Sequence, residues 1–98
     1  MATYLVLFSF TPQGVENIRE SPARVKAAKE TIRHLGGEVE AFYAILGSRY
    51  DTLFIVSAPN DEKIASMALA ISRLGNVRTE THRLLNENEF GKVISSLP

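Results

Sequence analysis

Cysteine is absent from this chain of 98 residues. That excludes disulfides, thiolate-held metal sites and cysteine nucleophiles. An excess of one charge is missing too. Eleven basic and eleven acidic side chains balance to zero, which argues against a broad electrostatic footprint for nucleic acid or for an anionic membrane. No apolar run approaches the roughly 18 residues of a membrane span. The apolar start, Met1 to Phe8, has no basic segment, and Thr11-Pro12-Gln13-Gly14 ends it too early for a signal-peptide core. A cytoplasmic protein is expected.

Further absences narrow the chemistry. With two histidines and no His-x-His or His-Glu-x-x-His spacing, a metal site is not expected. No glycine-rich phosphate loop is present, since Gly36-Gly37 follows a helical pattern instead of opening one. No serine lies in a nucleophile-elbow context. The sequence therefore predicts no cofactor.

What is present is ordinary globular composition. Hydrophobic residues make up 45% and charged residues 22%, a balance that folds. The length predicts one domain over residues 1–98. A chain this size buries about 60–65% of its unfolded surface, which is marginal without a partner.

The elements are punctuated clearly. Thr3 to Phe10 reads as a strand, and a helical turn follows around Val15 to Arg19. Ser21 reads as a helix N-cap with Pro22 at the first helical position, where its missing N–H costs nothing. Val25, Ala28, Ile32 and Leu35 make an apolar stripe that Gly36-Gly37 closes. Glu38 to Leu46 and Thr52 to Ala58 are rich in aromatic and β-branched residues. Joined by Gly47-Ser48-Arg49-Tyr50-Asp51, they predict a β-hairpin. Asn60 caps a second helix with the stripe Ile64, Met67, Ala68, Ile71 and Leu74, ended by Gly75-Asn76. Val77 to Arg83 is a fourth strand. Asn86 and Glu89 form a capping pair for a short tail helix with Phe90, Val93, Ile94 and Leu97 on one side.

The order β-α-β-β-α-β predicts an α+β, ferredoxin-like fold: a four-stranded antiparallel sheet, two helices on one face and a short C-terminal helix. A sheet covered on one face should alternate apolar and polar residues. Here Tyr4, Val6 and Phe8 oppose Leu5 and Leu7, and Phe54 and Val56 oppose Leu53 and Ile55. In the second strand Tyr43 and Ile45 oppose Phe42 and Leu46. Both faces are apolar, and an exposed apolar face is an aggregation hazard. The expected remedy is a second copy packed sheet to sheet, a homodimer or higher oligomer. The other remedy is the tail helix folded across the open face.

Several segments resemble the GYD-domain family of the dimeric α/β-barrel, ferredoxin-like superfamily: Ser21-Pro22, Gly36-Gly37, Phe42-Tyr43, Leu46-Gly47 with Tyr50-Asp51, Ala58-Pro59-Asn60-Asp61, Gly75 to Thr81, and Glu87 to Phe90. Two departures stand out. The Gly-x-Tyr-Asp of the family is one residue longer here, and Ser57 occupies the place of a glutamate before the second helix. The resemblance implies the fold and oligomerisation and supplies no reaction.

Candidate ligand-binding residues are Tyr43, Tyr50, Asp51, Arg78, Glu80 and His82. Arg78, Glu80 and His82 alternate along one face of the fourth strand and combine anion binding with a group that titrates near neutrality. Charged residues are also what an edge strand uses against edge-to-edge association. Tyr43 and Tyr50 could present hydroxyls to a cavity between sheet and helices, although strand tyrosines are commonly core residues with the hydroxyl at the rim. Asp51 fits a turn-capping acceptor, and His34 a cation at a helix C-terminus.

The third strand lacks the basic-aromatic signature of RNA-recognition domains, so no nucleic-acid partner is expected. The expected function is a non-catalytic, homo-oligomeric module that binds a small apolar or amphipathic molecule or another protein. The alternative, by analogy with this fold's cofactor-free monooxygenases and isomerases, is an enzyme using Tyr43, Arg78 and His82 in the cleft between sheet and helices.

Overall fold

Alternating apolar residues make Ala2–Phe10 a strand, β1, whose Tyr4, Val6 and Phe8 are buried while the intervening side chains are half-buried. The computed structural model describes residues 1–98. After β1 come α1 (Pro12–Glu16), a 3-10 turn (Ile18–Glu20), α2 (Ser21–His34), β2 (Glu38–Ala44) and β3 (Thr52–Ala58). α3 (Asp61–Ser72), β4 (Val77–Leu84) and α4 (Glu87–Ser95) complete the chain. The sheet order is β2-β3-β1-β4, all antiparallel, the ferredoxin-like arrangement.

The caps explain most boundaries. Asn60 accepts from the Lys63 N–H, and Asn86 and Glu89 form both halves of a capping box. Gly36 and Gly75, at φ of +94° and +88°, supply the left-handed residues that stop α2 and α3. One cap differs from expectation. Ser21 is already helical at φ −54°, because the 3-10 turn runs directly into α2 and its N–H bonds to the Ile18 carbonyl. The early helical turn also begins sooner than expected. Thr11 caps it by accepting from the Gly14 N–H, with Pro12 opening the turn.

α2 and α3 cover one face of the sheet. The core there holds Tyr4, Val6, Phe8, Phe54, Val56 and Ala58 from the strands, with Ile32, Ile64 and Met67 from the helices. Phe8 and Phe42 both meet the Phe54 ring edge-on, with centroids at 5.0 and 5.9 Å. Tyr4 donates its hydroxyl to Asp61 Oδ1 at 2.5 Å, tying β1 to the start of α3. Leu74, expected in the α3 stripe, lies beyond the end of that helix and is exposed.

β2 carries a bulge between Val39 and Ala41. The extra residue is Glu40, whose carboxylate accepts from the Ser57 hydroxyl at 2.9 Å. A bulge lets Val39 and Phe42, three residues apart, both serve the helix side. β2 stops at Ala44, two residues before its expected end. Ile45 to Asp51 then forms a loop closed by an Ile45 N–H bond to the Asp51 carbonyl.

No helix covers the other sheet face, where the apolar side chains are half-buried. Leu5, Leu7, Leu53 and Ile55 lie on it, paired across the central strands, and Tyr43 continues the row on β2. The molecule is only 18 Å deep, the thickness of one helix layer on one sheet. α4 does not fold back over this face, so the tail-helix remedy is not the one the chain adopts. It packs on no strand over any length, and Phe90, Val93, Ile94 and Leu97 are all exposed. The longest dimension, 52 Å, exceeds the roughly 30 Å of a nine-residue strand because α4 projects from the end of β4.

Candidate functional site: a polar cluster on the open sheet face

The register across β1 and β4 sets the site. Leu5 pairs with His82, Leu7 with Glu80 and Ser9 with Arg78, so these side chains share the face that the helices leave bare. Glu80 is its centre. It accepts the Tyr50 hydroxyl on Oε1, and His82 Nε2 lies 2.6 Å from its Oε2. Tyr50 reaches from the loop after β2 over β1 to β4. The Arg49 guanidinium stacks on the Tyr50 ring at 5.1 Å.

Asp51 is what aims Tyr50. Its backbone N–H donates to the Phe8 carbonyl at 2.8 Å, and its carboxylate accepts from the Phe10 N–H at 2.8 Å. The Ser9 hydroxyl adds a bond to the Arg49 carbonyl at 3.2 Å. The loop is thereby pinned to the end of β1, and Tyr50 falls on the open face.

Of the six sequence-derived candidates, Tyr50, Glu80 and His82 come together, with Asp51 beneath them as the loop anchor. Arg78 stands on the same face with no bond to the cluster, and Tyr43 stands 63% exposed on β2. Arg49 was not anticipated, since its stacking depends on a loop conformation that residue spacing does not reveal.

The tyrosines and the proposed catalytic residues do not sit where the cavity expectation put them. A cleft of about 100 Å³ does open between α2, α3 and the sheet, lined mainly by apolar groups such as Phe8, Phe42, Phe54 and Ile71, with Arg24 among them. Tyr43, Tyr50, Arg78 and His82 all lie on the opposite side of the sheet. The reason is pairing parity for Tyr43, Arg78 and His82, which lie opposite Leu53, Ser9 and Leu5 on that face, while the loop delivers Tyr50 there.

Hydrogen bonding by Tyr50 first, then by His82, holds the Glu80 carboxyl below its ordinary value near 4.5. A carboxylate with a depressed folded-state pKa stabilises the fold above its unfolded value, and that stabilisation disappears as pH falls through the lower folded value. Glu80→Gln should therefore flatten the acid side of the stability profile. Thermal melts from about pH 6 to pH 3 check this, with wild type losing melting temperature more steeply than the variant. Parallel curves would show that the cluster does not hold the carboxylate in its charged form.

Comparison with known proteins agrees with this architecture. A Thermus thermophilus protein, the glutamine synthetase and cystathionine beta-lyase binding protein, is 34% identical over 82 residues, covering 83% of this chain and 85% of its own. A solved structure from Thermus thermophilus superposes with a TM-score of 0.56 at 27% identity, covering 88% of this chain and 95% of that one. The leucine response regulatory protein of Mycobacterium tuberculosis matches in fold, with a TM-score of 0.62 at 20% identity over 87% of this chain. This chain spans about half, 51%, of that regulator's length. The family model of the GYD domain matches residues 4–94, which takes in β1 from Tyr4 onward, the other three strands and the polar cluster. Fold, register and match agree: the chain belongs to the GYD domain family.

Proposed function

We propose that the chain is a homodimeric protein-binding module, two copies packing their open sheet faces together. The observation that carries this reading is a sheet face covered by neither a helix nor the tail, where Leu5, Leu7, Leu53 and Ile55 remain only half-buried. Extended apolar surface of this kind marks an interface. The helices then face outward on both sides of the dimer, which leaves them free for a second protein.

The partner class follows from the Thermus relative, whose name records binding to two enzymes, glutamine synthetase and cystathionine beta-lyase. On this reading the present chain binds such an enzyme in the cytoplasm, and the glutamine synthetase of its own host is the first candidate. No helix of the chain is long and apolar enough to cross a membrane. Biolayer interferometry with immobilised dimer and purified host glutamine synthetase should give saturable, reversible binding. A flat response with that enzyme and with the host cystathionine beta-lyase would overturn the partner class while leaving the dimer standing.

A further inference from the structure

We propose that α4 is a clasp: its apolar side seats on the Ile45–Asp51 loop of a second copy of this chain, against Leu46. The proposal rests on the dimer reading above and adds to it the relative orientation of the two copies.

Two apolar features remain unexplained by packing within one chain. Leu46 is 95% exposed in its loop, and Phe90, Val93 and Ile94 on α4, with Leu97 just beyond it, are between 46% and 62% exposed. They cannot meet each other in one copy. The loop follows Ala44, at the end of the sheet where Thr52 pairs with Phe8, on the β2 edge. α4 follows Leu84, which pairs with Thr3 at the other end, on the β4 edge. They occupy diagonally opposite corners, roughly 14 Å apart across the strands and roughly 23 Å apart along them.

Symmetry limits how a partner can join them. The two-fold axis of a face-to-face dimer lies between the sheets. An axis along the strands sets α4 over the partner's β2 edge, at the Glu38 end. An axis across the strands sets it over the partner's β4 edge, at the Val77 end. One diagonal axis sets α4 on α4. The other sets each α4 on the partner's Leu46 loop, twice over, with strands crossing near 90°, one of the two preferred ways for sheets to pack. That placement alone matches an apolar helix face with an apolar loop tip.

Area calls for α4 to take part in the interface, and the pairing with Leu46 gives it its place. Seven paired residues on four strands give an open face of roughly 19 by 23 Å, so two faces bury on the order of 900 Å² in total, short of the roughly 1,200–2,000 Å² of stable interfaces. α4, about 13 Å long and 10 Å wide, adds roughly 500 Å² when both clasps close, which brings the interface into that range.

The cysteine-free background makes the test direct. In the double variant Leu46→Cys with Val93→Cys, a disulfide requires the two Cα atoms within about 7 Å, which the corner positions forbid inside one chain. Mild oxidation should convert most of the double variant to a covalent dimer on a non-reducing gel, with each single variant remaining monomeric on it. Both positions are exposed, so folding is not at stake. Cross-linking of Val93→Cys alone would place α4 on α4 and overturn the proposal. A double variant that stays uncross-linked, from a chain that light scattering finds dimeric, overturns the clasp and leaves the dimer reading intact. A monomer by light scattering overturns both.

Discussion

Leu53→Asp should turn the protein into a folded monomer. Leu53 sits on the open face, between Leu7 on β1 and Tyr43 on β2, and contributes nothing to the core beneath the helices. In a face-to-face dimer each copy would then bury a carboxylate among apolar side chains. Burying an unpaired charge costs several kcal/mol, and about 4 kcal/mol already weakens association about 1,000-fold. The variant should keep its circular dichroism spectrum while light scattering reports half the wild-type mass. Leu53→Ile, which preserves volume and polarity, should remain dimeric. An unchanged dimer in Leu53→Asp would place the interface elsewhere on the molecule.

Phe54→Ala, one residue along the same strand, should do the opposite: it should spare the interface and empty the core. Phe54 is 2% exposed and holds the edge-on contacts with Phe8 and Phe42 that join three strands beneath α2 and α3. Removing a buried phenylalanine ring costs about 3–5 kcal/mol, out of a total stability of about 5–15 kcal/mol for a chain of this length. At about 4–8 °C per kcal/mol, the melting temperature should fall by more than about 12 °C. Calorimetry or a dye-free thermal melt checks it, and a loss of only a few degrees would mean that the ring sits in a site able to collapse around it. The contrast between neighbours 53 and 54 follows from strand parity alone.

Strand parity was also what made the fold legible from sequence. Tyr4, Val6 and Phe8 against Leu5 and Leu7 announce a sheet with two apolar faces. Asn60 with Gly75, and Asn86 with Glu89, mark helices by chemistry that acts close to each helix end. The bonds that matter at the site are not local in that sense. Tyr50 and Glu80 are 30 residues apart, and Asp51 bonds to Phe8 and Phe10 about 40 residues earlier, so neither partner is visible in spacing. The residues themselves were readable as candidates; Arg78, Glu80 and His82 owe their place on the open face to which strands pair, and Tyr50 owes its place to a loop path fixed by long-range bonds. The Glu40 bulge was hinted at by Val39 and Phe42, apolar positions an odd number apart, which a regular strand would send to opposite faces. Thr11-Pro12 reads in sequence as the end of the first strand, and its part in capping α1 emerges only in the structure. The direction of α4 had no local signal, because an amphipathic helix looks the same in sequence whether it folds onto its own sheet or onto another chain's.

The loop after β2 delivers Tyr50 to Glu80 and Asp51 to the end of β1, and it leaves Leu46 exposed beyond the end of the strand.

The central claim is that two copies cover each other's open sheet face, and mass in solution tests it most directly. Light scattering on the purified chain, followed through serial dilution, should return twice the chain mass of 10.8 kDa and hold that value into the low micromolar range. A stable particle of 10.8 kDa at the highest concentration reached would contradict the account.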